Sequence, residues 1–499
     1  MNKRNLQGLP DVLSFLSNIS SDEIFTSPKL ARALLDQLPP HIWKDRKITF
    51  LDPCVKSGVF LREIASRLVE GLEDQIIDRQ ERINHVLTKQ VFGMAITQLT
   101  GQIARRSIYG SKTSNGKYSF CSDFSSESGN IWFENTTHDW KMGQCTICGA
   151  RKSEYPDDKN QETYAYGFIH KVDPEEIFSM KFDVIIGNPP YSLDTGGSGR
   201  QAKPIYQHFI RQAMRLNPRY LSMIVPSKWF GGGMGLDDFR KEMLADKRIR
   251  RIVDFLDANE VFPDEDIPGG VCYFLWDRDN PGSCEITNIH KGISQTSIRE
   301  LNEFPTFVRQ SSSVPILRKC LNSKNEFLSK IVSSTRPFGL STKERPSSKG
   351  EITLIHSGGQ GLIPASKVSA GEEFINKWKV LVSKTSHDHG GNPDKDGARR
   401  VLSRVEVIGP NVVCTESYIV IGPFKTKREA DNCAIYLRTK FVRHLISLLS
   451  FSQDITRERF NYVPMEDFSK PIDDVNLYKK YGLTEEEVLY IESTIKAMG

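Results

Sequence analysis

No apolar run in the sequence approaches the ~18 uninterrupted residues that a membrane-crossing helix needs, so neither a spanning role nor a membrane partner is expected. The first twenty residues, MNKRNLQGLPDVLSFLSNIS, hold neither a long apolar core nor a small-residue cleavage site. No secretory signal is therefore expected, and the chain reads as cytoplasmic. Nor is there a phosphate loop: the run Trp229-Phe230-Gly231-Gly232-Gly233 is not followed by Gly-Lys-Ser/Thr and reads instead as a mobile loop bordering a site. No internal repeat and no convincing carboxylate-lysine cluster of a nuclease is apparent. Cysteine is sparse and odd in number, nine in 499 residues, which fits reduced thiols, some of them free to bind metal, better than a disulfide framework.

What is present is the composition of a globular protein, 38% apolar and 26% charged. A chain of this length is expected to hold two or three domains. Residues 1–300 carry 38 Lys and Arg against 39 Asp and Glu, whereas residues 301–460 carry 25 against 15. The excess positive charge therefore lies in the C-terminal third. That is the footprint a polyanion-binding surface needs, and equally that of a solvated basic face.

Strand and helix patterns alternate through the first half. KITFLDP (47–53), QVFGMAI (90–96) and KFDVIIGNPP each read as a strand followed by a helical run, and RYLSMIVPSKWF (219–230), IRRIVDFLDA and GVCYFLWDRD (270–279) continue the series. The expectation is an α/β, doubly wound, Rossmann-like sheet over residues 1–290, mostly parallel and covered on both faces. Residues 110–170 keep no strand or helix period and read as an insertion. Residues 300–480 start afresh as an α+β domain with a helix over KREADNCAIYLRTKFVRHLISLLS, and 481–499 as an acidic helix capped by Thr484 with Leu483 as staple.

Two stretches carry chemistry. In DVIIGNPPYSL the apolar strand Val184-Ile185-Ile186 is stopped by Gly187 and the prolines, which places Asn188 to Tyr191 in a rigid loop at the carboxyl end of a strand, where open α/β sheets bind ligands. An exocyclic base amine is a poor nucleophile, because its lone pair is delocalised into the ring. The Asn188 side-chain oxygen and the Pro189 carbonyl can accept its hydrogens and localise that lone pair, while Tyr191 offers a face on which an unstacked base can lie. The plainer alternative is a Pro-Pro turn with a capping Asn and a packed Tyr. In FLDPCVKSGVFLREI, a glycine turn between strand and helix lets backbone amides approach a ligand, with Asp52 at the strand end.

Taken together these residues resemble the bacterial restriction-modification amino-methyltransferases that act on the N6 amine of adenine in DNA. The donor motif DPxxGSGxFL is matched by Asp52, Pro53, Ser57, Gly58, Phe60 and Leu61. The catalytic motif [ND]PPY is matched in full by Asn188, Pro189, Pro190 and Tyr191, and an F-T-x-P stretch by Phe25, Thr26 and Pro28. The order of these motifs is the gamma arrangement, and the match covers about residues 20–280. The resemblance implies S-adenosylmethionine as methyl donor, double-stranded DNA as partner, a target-recognition domain in 300–480, and leaves room for a cognate restriction endonuclease. Two departures stand out. Lys56 occupies the first glycine position of the donor loop, and the acidic residue expected after the second strand to hold the ribose is replaced by Ala95 and Thr97.

Cys145-x-x-Cys148-Gly149 has the spacing of a zinc knuckle. The expected ligand set is Cys121, His138, Cys145 and Cys148, with His170 as the alternative fourth ligand, for a structural rather than a catalytic zinc. His387 and His389, two apart in a polar loop, read as a DNA-touching loop. Two further functions remain open: methylation of RNA or of protein glutamine on the same fold, and a DNA-binding specificity subunit whose donor site has decayed. Cytosine N4 is disfavoured, since those enzymes commonly carry Ser at the position of Asn188.

Overall fold

The computed structural model describes residues 24–498 apart from 156–162, 171–173, 194–202, 264, 266, 324–325, 387–397 and 450–453. The chain divides into two compact units, Met1–Phe307 and Val308–Gly499. No helix among the described residues is long and apolar enough to cross a membrane.

The first unit is built on one sheet of nine strands: β1 (Phe50–Val55), β2 (Val91–Ala95), β3 (Ile131–Trp132), β4 (Val184–Gly187), β5 (Tyr220–Pro226), β6 (Ile249–Phe255), β7 (Val271–Asp277), β8 (Cys284–His290) and β9 (Ile293–Arg299). Their spatial order is β9-β8-β6-β7-β5-β4-β1-β2-β3. β1 pairs in parallel with both β2 and β4, and β4 with β5. β7 runs antiparallel between β5 and β6, so the sheet is mixed but mostly parallel. Every residue of β1, β4, β5 and β7 is buried, which is why these strands read as continuous apolar runs instead of alternating ones. From β1 the chain proceeds outward through β2 and β3, and from β4 it proceeds the other way through β5. The adjacent carboxyl ends of β1 and β4 therefore form the crevice of a topological switch point.

Helices cover the sheet, among them α1 (Pro28–Leu35), α2 (Val59–Gly71), α3 (Gln98–Tyr109), α4 (Tyr206–Arg215) and α5 (Asp237–Ala245). Ser27 caps α1 by accepting from the Leu30 amide at 3.3 Å, with Pro28 in the first turn. Thr97 and Thr100 form a capping box at the start of α3.

Two expectations change here. Residues 110–170 are not wholly outside the sheet, because Ile131 and Trp132 pair with Gly93 and Met94 as an edge strand. Two residues are too few to leave a period in sequence. The sheet also continues past residue 290 through the hairpin β8–β9, whose turn places Lys291 and Gly292 at φ 51° and 74°.

The second unit holds two three-stranded sheets. β10 (Ile352–His356), β11 (Gly359–Ile363) and β14 (Val412–Cys414) form one in the order β11-β10-β14, and β12 (Trp378–Ser383), β13 (Val405–Ile408) and β15 (Tyr418–Phe424) form the other in the order β13-β12-β15. Phe338, Leu354, Leu381, Val413 and Val420 share its core. The helix expected over 427–450 is two, α6 (Lys427–Arg438) and α7 (Lys440–Ser447), because Thr439 turns extended (ψ 149°) and caps the second through the Val442 amide. Thr484 caps the terminal helix Glu485–Thr494 in a box with Glu487.

Candidate active site

The crevice between β1 and β4 brings the two motifs together. Gly187 makes this close approach feasible: a Cβ there would lie 2.8 Å from Asp52 Oδ1, 2.9 Å from Cys54 Sγ and 3.4 Å from Pro53 Cδ. Gly58 caps α2 at φ 74°, a left-handed conformation that suits glycine, and a Cβ there would press on the Ala104 backbone at 3.1 Å. Asp52 and Pro53 are buried, Ser57 is half-buried and Phe60 is buried in the core. Burial pushes the Asp52 carboxyl up to about 7, although the Cys54 amide, donating to Oδ1 at 3.0 Å, and the Lys56 ammonium both pull it down.

The segment before α1 crosses the same crevice. Asn188, 3% exposed, donates through Nδ2 to the Ile24 carbonyl at 3.0 Å and to Thr26 Oγ1 at 3.2 Å. Its other end is different: Asn188 Oδ1 is buried and has no hydrogen-bond partner among the described residues. An unpaired buried acceptor costs ~1–3 kcal/mol, and a donor group entering the crevice would remove that cost. Pro189 and Pro190 are buried behind it. Phe25 and Pro28 are half-buried in the same segment.

Tyr191 is 9% exposed and packs into the core cluster, its phenol held well above the usual range by burial. The hydroxyl is buried and has no partner among the described residues. Lys56 does not occupy a left-handed conformation. Its side chain is buried and donates from Nζ to Ile24 O at 2.9 Å. At the end of β2, Ala95 and Thr97 are buried, and the Thr97 hydroxyl is engaged with Thr100 at 2.9 Å. The described residues at this strand end, Ala95 to Thr97, include no carboxylate.

Trp229 and Phe230 are fully buried, so the glycine run is anchored at its start and not mobile throughout. Just before them, Ser227 at the end of β5 donates to Asp254 at 2.8 Å, and Asn288 donates to the other oxygen of Asp254 at 3.2 Å. Sequence reading missed this buried network, since Asp254 and Asn288 on two strands and Ser227 just past a third leave no local pattern.

A second cluster lies in the 110–170 region. His138, Cys145, Cys148 and His170 place one ligand atom each within 4.8 Å of one another. Cys148 Sγ is 3.4 Å from His138 Nδ1, and Cys145 Sγ is 3.5 Å from His170 Nε2. A tetrahedral zinc with bonds of ~2.3 Å to sulfur and ~2.0–2.1 Å to nitrogen needs a sulfur-to-nitrogen edge of about 3.6 Å. The second nitrogen of each ring is bonded to a backbone carbonyl, His138 Nε2 to Thr163 at 2.8 Å and His170 Nδ1 to Tyr166 at 3.0 Å, as ligand imidazoles require for a fixed orientation. His170 is the fourth member, and Cys121 is not one: it is buried at 2% exposure in the hydrophobic core beside α3. The His170 helix, Gly167–His170, is held against α4 by Tyr166 and Phe168 on Phe209, with ring centroids 5.6 and 6.0 Å apart. His387 and His389 lie outside the described residues.

Residues 89–262 match the family described as Eco57I restriction-modification methylase. An uncharacterized adenine-specific methylase of Mycoplasma pneumoniae is 36% identical over 299 residues, which span 54% of this chain and 71% of that protein. Among solved structures, a nuclease-deletion mutant of the Type ISP restriction-modification enzyme LlaGI, in complex with a DNA substrate mimic, is similar at TM-score 0.50 and 11% identity over 89% of this chain and 45% of that one. A type I restriction-modification assembly matches at TM-score 0.34 and 16% identity, over 60% of this chain and 50% of its own. The chain thus spans about half the length of those two structures, and the first likeness is one of fold. With a relative 36% identical and matched over 71% of its length, the chain belongs to the adenine-specific methylases, and its residues 89–262 carry the likeness to the Eco57I restriction-modification methylase family.

Proposed function

We propose that the protein transfers a methyl group from S-adenosylmethionine to the N6 amine of an adenine swung out of duplex DNA. The single observation that carries this reading is the orphaned Asn188 Oδ1, a buried acceptor whose amide is fixed from behind by Ile24 and Thr26. S-adenosylmethionine, when bound, supplies the electrophilic methyl carbon. Asn188 Oδ1 and the Pro189 carbonyl would accept hydrogen bonds from the two amine hydrogens, so that the nitrogen lone pair is less shared with the ring. As the N–C bond forms the S–C bond breaks, S-adenosylhomocysteine leaves, and one amine proton is lost to solvent. Tyr191 backs the base. Pro190 stiffens the loop so that these acceptors need no reorganisation when the amine develops positive charge. Asp52, Pro53, Ser57, Gly58 and Phe60, with Phe25, Thr26 and Pro28 from the crossing segment, would hold the donor.

The test is transfer of a tritiated methyl group to duplex DNA, RNA and protein offered separately. Label in DNA alone, lost in Asn188→Ala, is the expected result. Label in RNA or protein instead would remove the acceptor assignment.

The second unit carries most of the basic stretch 301–460 and is proposed as the target-recognition domain. Its contribution is read as a steep fall of DNA affinity with salt. The His138, Cys145, Cys148, His170 cluster is proposed to hold one structural zinc that fixes an otherwise loop-rich segment. One equivalent of zinc in the purified protein, lost with a lowered melting temperature in Cys148→Ser, supports it. A metal-free protein melting like that variant contradicts it.

A further inference from the structure

Lys56 stands where the related donor motifs have glycine, and its role follows from what it touches. An asparagine amide is nearly symmetric in shape, with an acceptor at one end and a double donor at the other. Only one of its two orientations presents Oδ1 to an incoming amine. At Asn188 that orientation is set by the partners of Nδ2. Thr26 Oγ1, at 3.2 Å, cannot choose, because a hydroxyl can donate as readily as accept. The Ile24 carbonyl, at 3.0 Å, can only accept, and a reversed amide would set oxygen against oxygen there.

Ile24 lies in a stretch without regular structure before α1, so no ladder of backbone bonds holds its carbonyl in direction. The Lys56 ammonium does, donating to the same oxygen at 2.9 Å. The lysine is itself 7% exposed and so is not a solvated surface cation. We propose that Lys56 is a positioning residue: it holds the Ile24 carbonyl against the Asn188 amide and so keeps Asn188 Oδ1 aimed at the target amine. This rests on the methyl-transfer reading above.

The charge makes the role separable from a general structural one. Lys56 is a cation in a loop that would receive a cationic sulfonium, so replacing it with a neutral side chain should leave donor affinity unchanged or tighter. A merely destabilised loop would bind the donor more weakly. The experiment uses the full chain and Lys56→Met, measuring the single-turnover methylation rate at saturating S-adenosylmethionine and DNA, the dissociation constants of both, and the melting temperature. A rate lowered tenfold or more, with both affinities no weaker than threefold below wild type, is expected. A rate within twofold of wild type, or a loss confined to donor affinity, overturns the proposal. If Lys56→Met does not fold, Lys56→Gly removes the same ammonium and is read by the same criteria. Wild-type and Asn188→Ala proteins run beside it. Absence of DNA methylation by the wild type would fault the methyl-transfer reading, whereas an active wild type, an inactive Asn188→Ala and an unaffected Lys56→Met would fault only the role of Lys56.

Discussion

Replacing Asn188 with alanine separates activity from stability, and both magnitudes follow from its surroundings. The substitution removes two hydrogen bonds from Nδ2, at 3.0 and 3.2 Å, each contributing ~0.5–1.5 kcal/mol net. It also removes the unpaired Oδ1, which costs the folded protein ~1–3 kcal/mol. The Ile24 carbonyl keeps the Lys56 ammonium as its partner, and the Thr26 hydroxyl can turn elsewhere, so neither remaining group is stranded. The two contributions nearly cancel, leaving a change of ~1 kcal/mol of either sign before any cavity effect. A unit of about 300 residues should then shift its melting temperature by only ~1–2 °C. Transfer should fall far more, because losing one pre-aimed polar contact to a developing charge costs ~10²–10³ in rate. Thermal melts and single-turnover transfer of a tritiated methyl group measure the two quantities. Activity within tenfold of wild type would refute the role given to Oδ1. A loss of more than ~4 kcal/mol of stability would refute the claim that this acceptor is kept unpaired at a cost.

Burial holds the Asp52 carboxyl at about 7, above the ~4 it would have in an unfolded chain. Between these values the folded donor-free protein binds the extra proton, so this group's contribution to stability is greatest below about pH 4 and declines as pH rises toward 7. A cationic donor favours the ionised carboxylate, so S-adenosylmethionine should bind more weakly at pH 6 than at pH 8 and release a proton, both effects vanishing in Asp52→Asn. Calorimetry in buffers of different ionisation enthalpy checks this, and pH-independent binding by the wild type contradicts it. Gly187→Ala sets a methyl 2.8 Å from Asp52 Oδ1 and 2.9 Å from Cys54 Sγ. An overpacking cost of ~1–3 kcal/mol is expected, with weakened donor binding. Unchanged melting and unchanged affinity would show that the two loops are not in the contact described.

The parts of the fold legible in sequence were those written locally. Val184-Ile185-Ile186 ended by Gly187-Asn188-Pro189-Pro190 reads as a buried strand and its terminal loop because each residue constrains its own neighbours, and the structure has that strand at Val184–Gly187. The capping of the last helix by Thr484 was equally local. What sequence did not show was long-range or degenerate. The Asn188 to Ile24 contact joins residues 164 apart through a backbone atom that has no side-chain signature. Cys121 and Cys145 look alike as residue types, yet one lies in an apolar core and the other beside two imidazoles and a second thiol. A two-residue strand such as β3 carries no periodicity, and the break at Thr439 rests on a single residue turning extended within a run that is otherwise uniformly helical in pattern.

The central claim is that the Asn188 carboxamide receives an adenine amine and makes it nucleophilic. Its most direct test is mass analysis of nucleosides from duplex DNA incubated with S-adenosylmethionine and either the wild-type protein or Asn188→Ala. N6-methyladenine as the sole new nucleoside with the wild type, and roughly a hundredfold less or lower still with the variant, is the predicted result. A methyl group on any other base, or equal N6-methyladenine from both proteins, would contradict it.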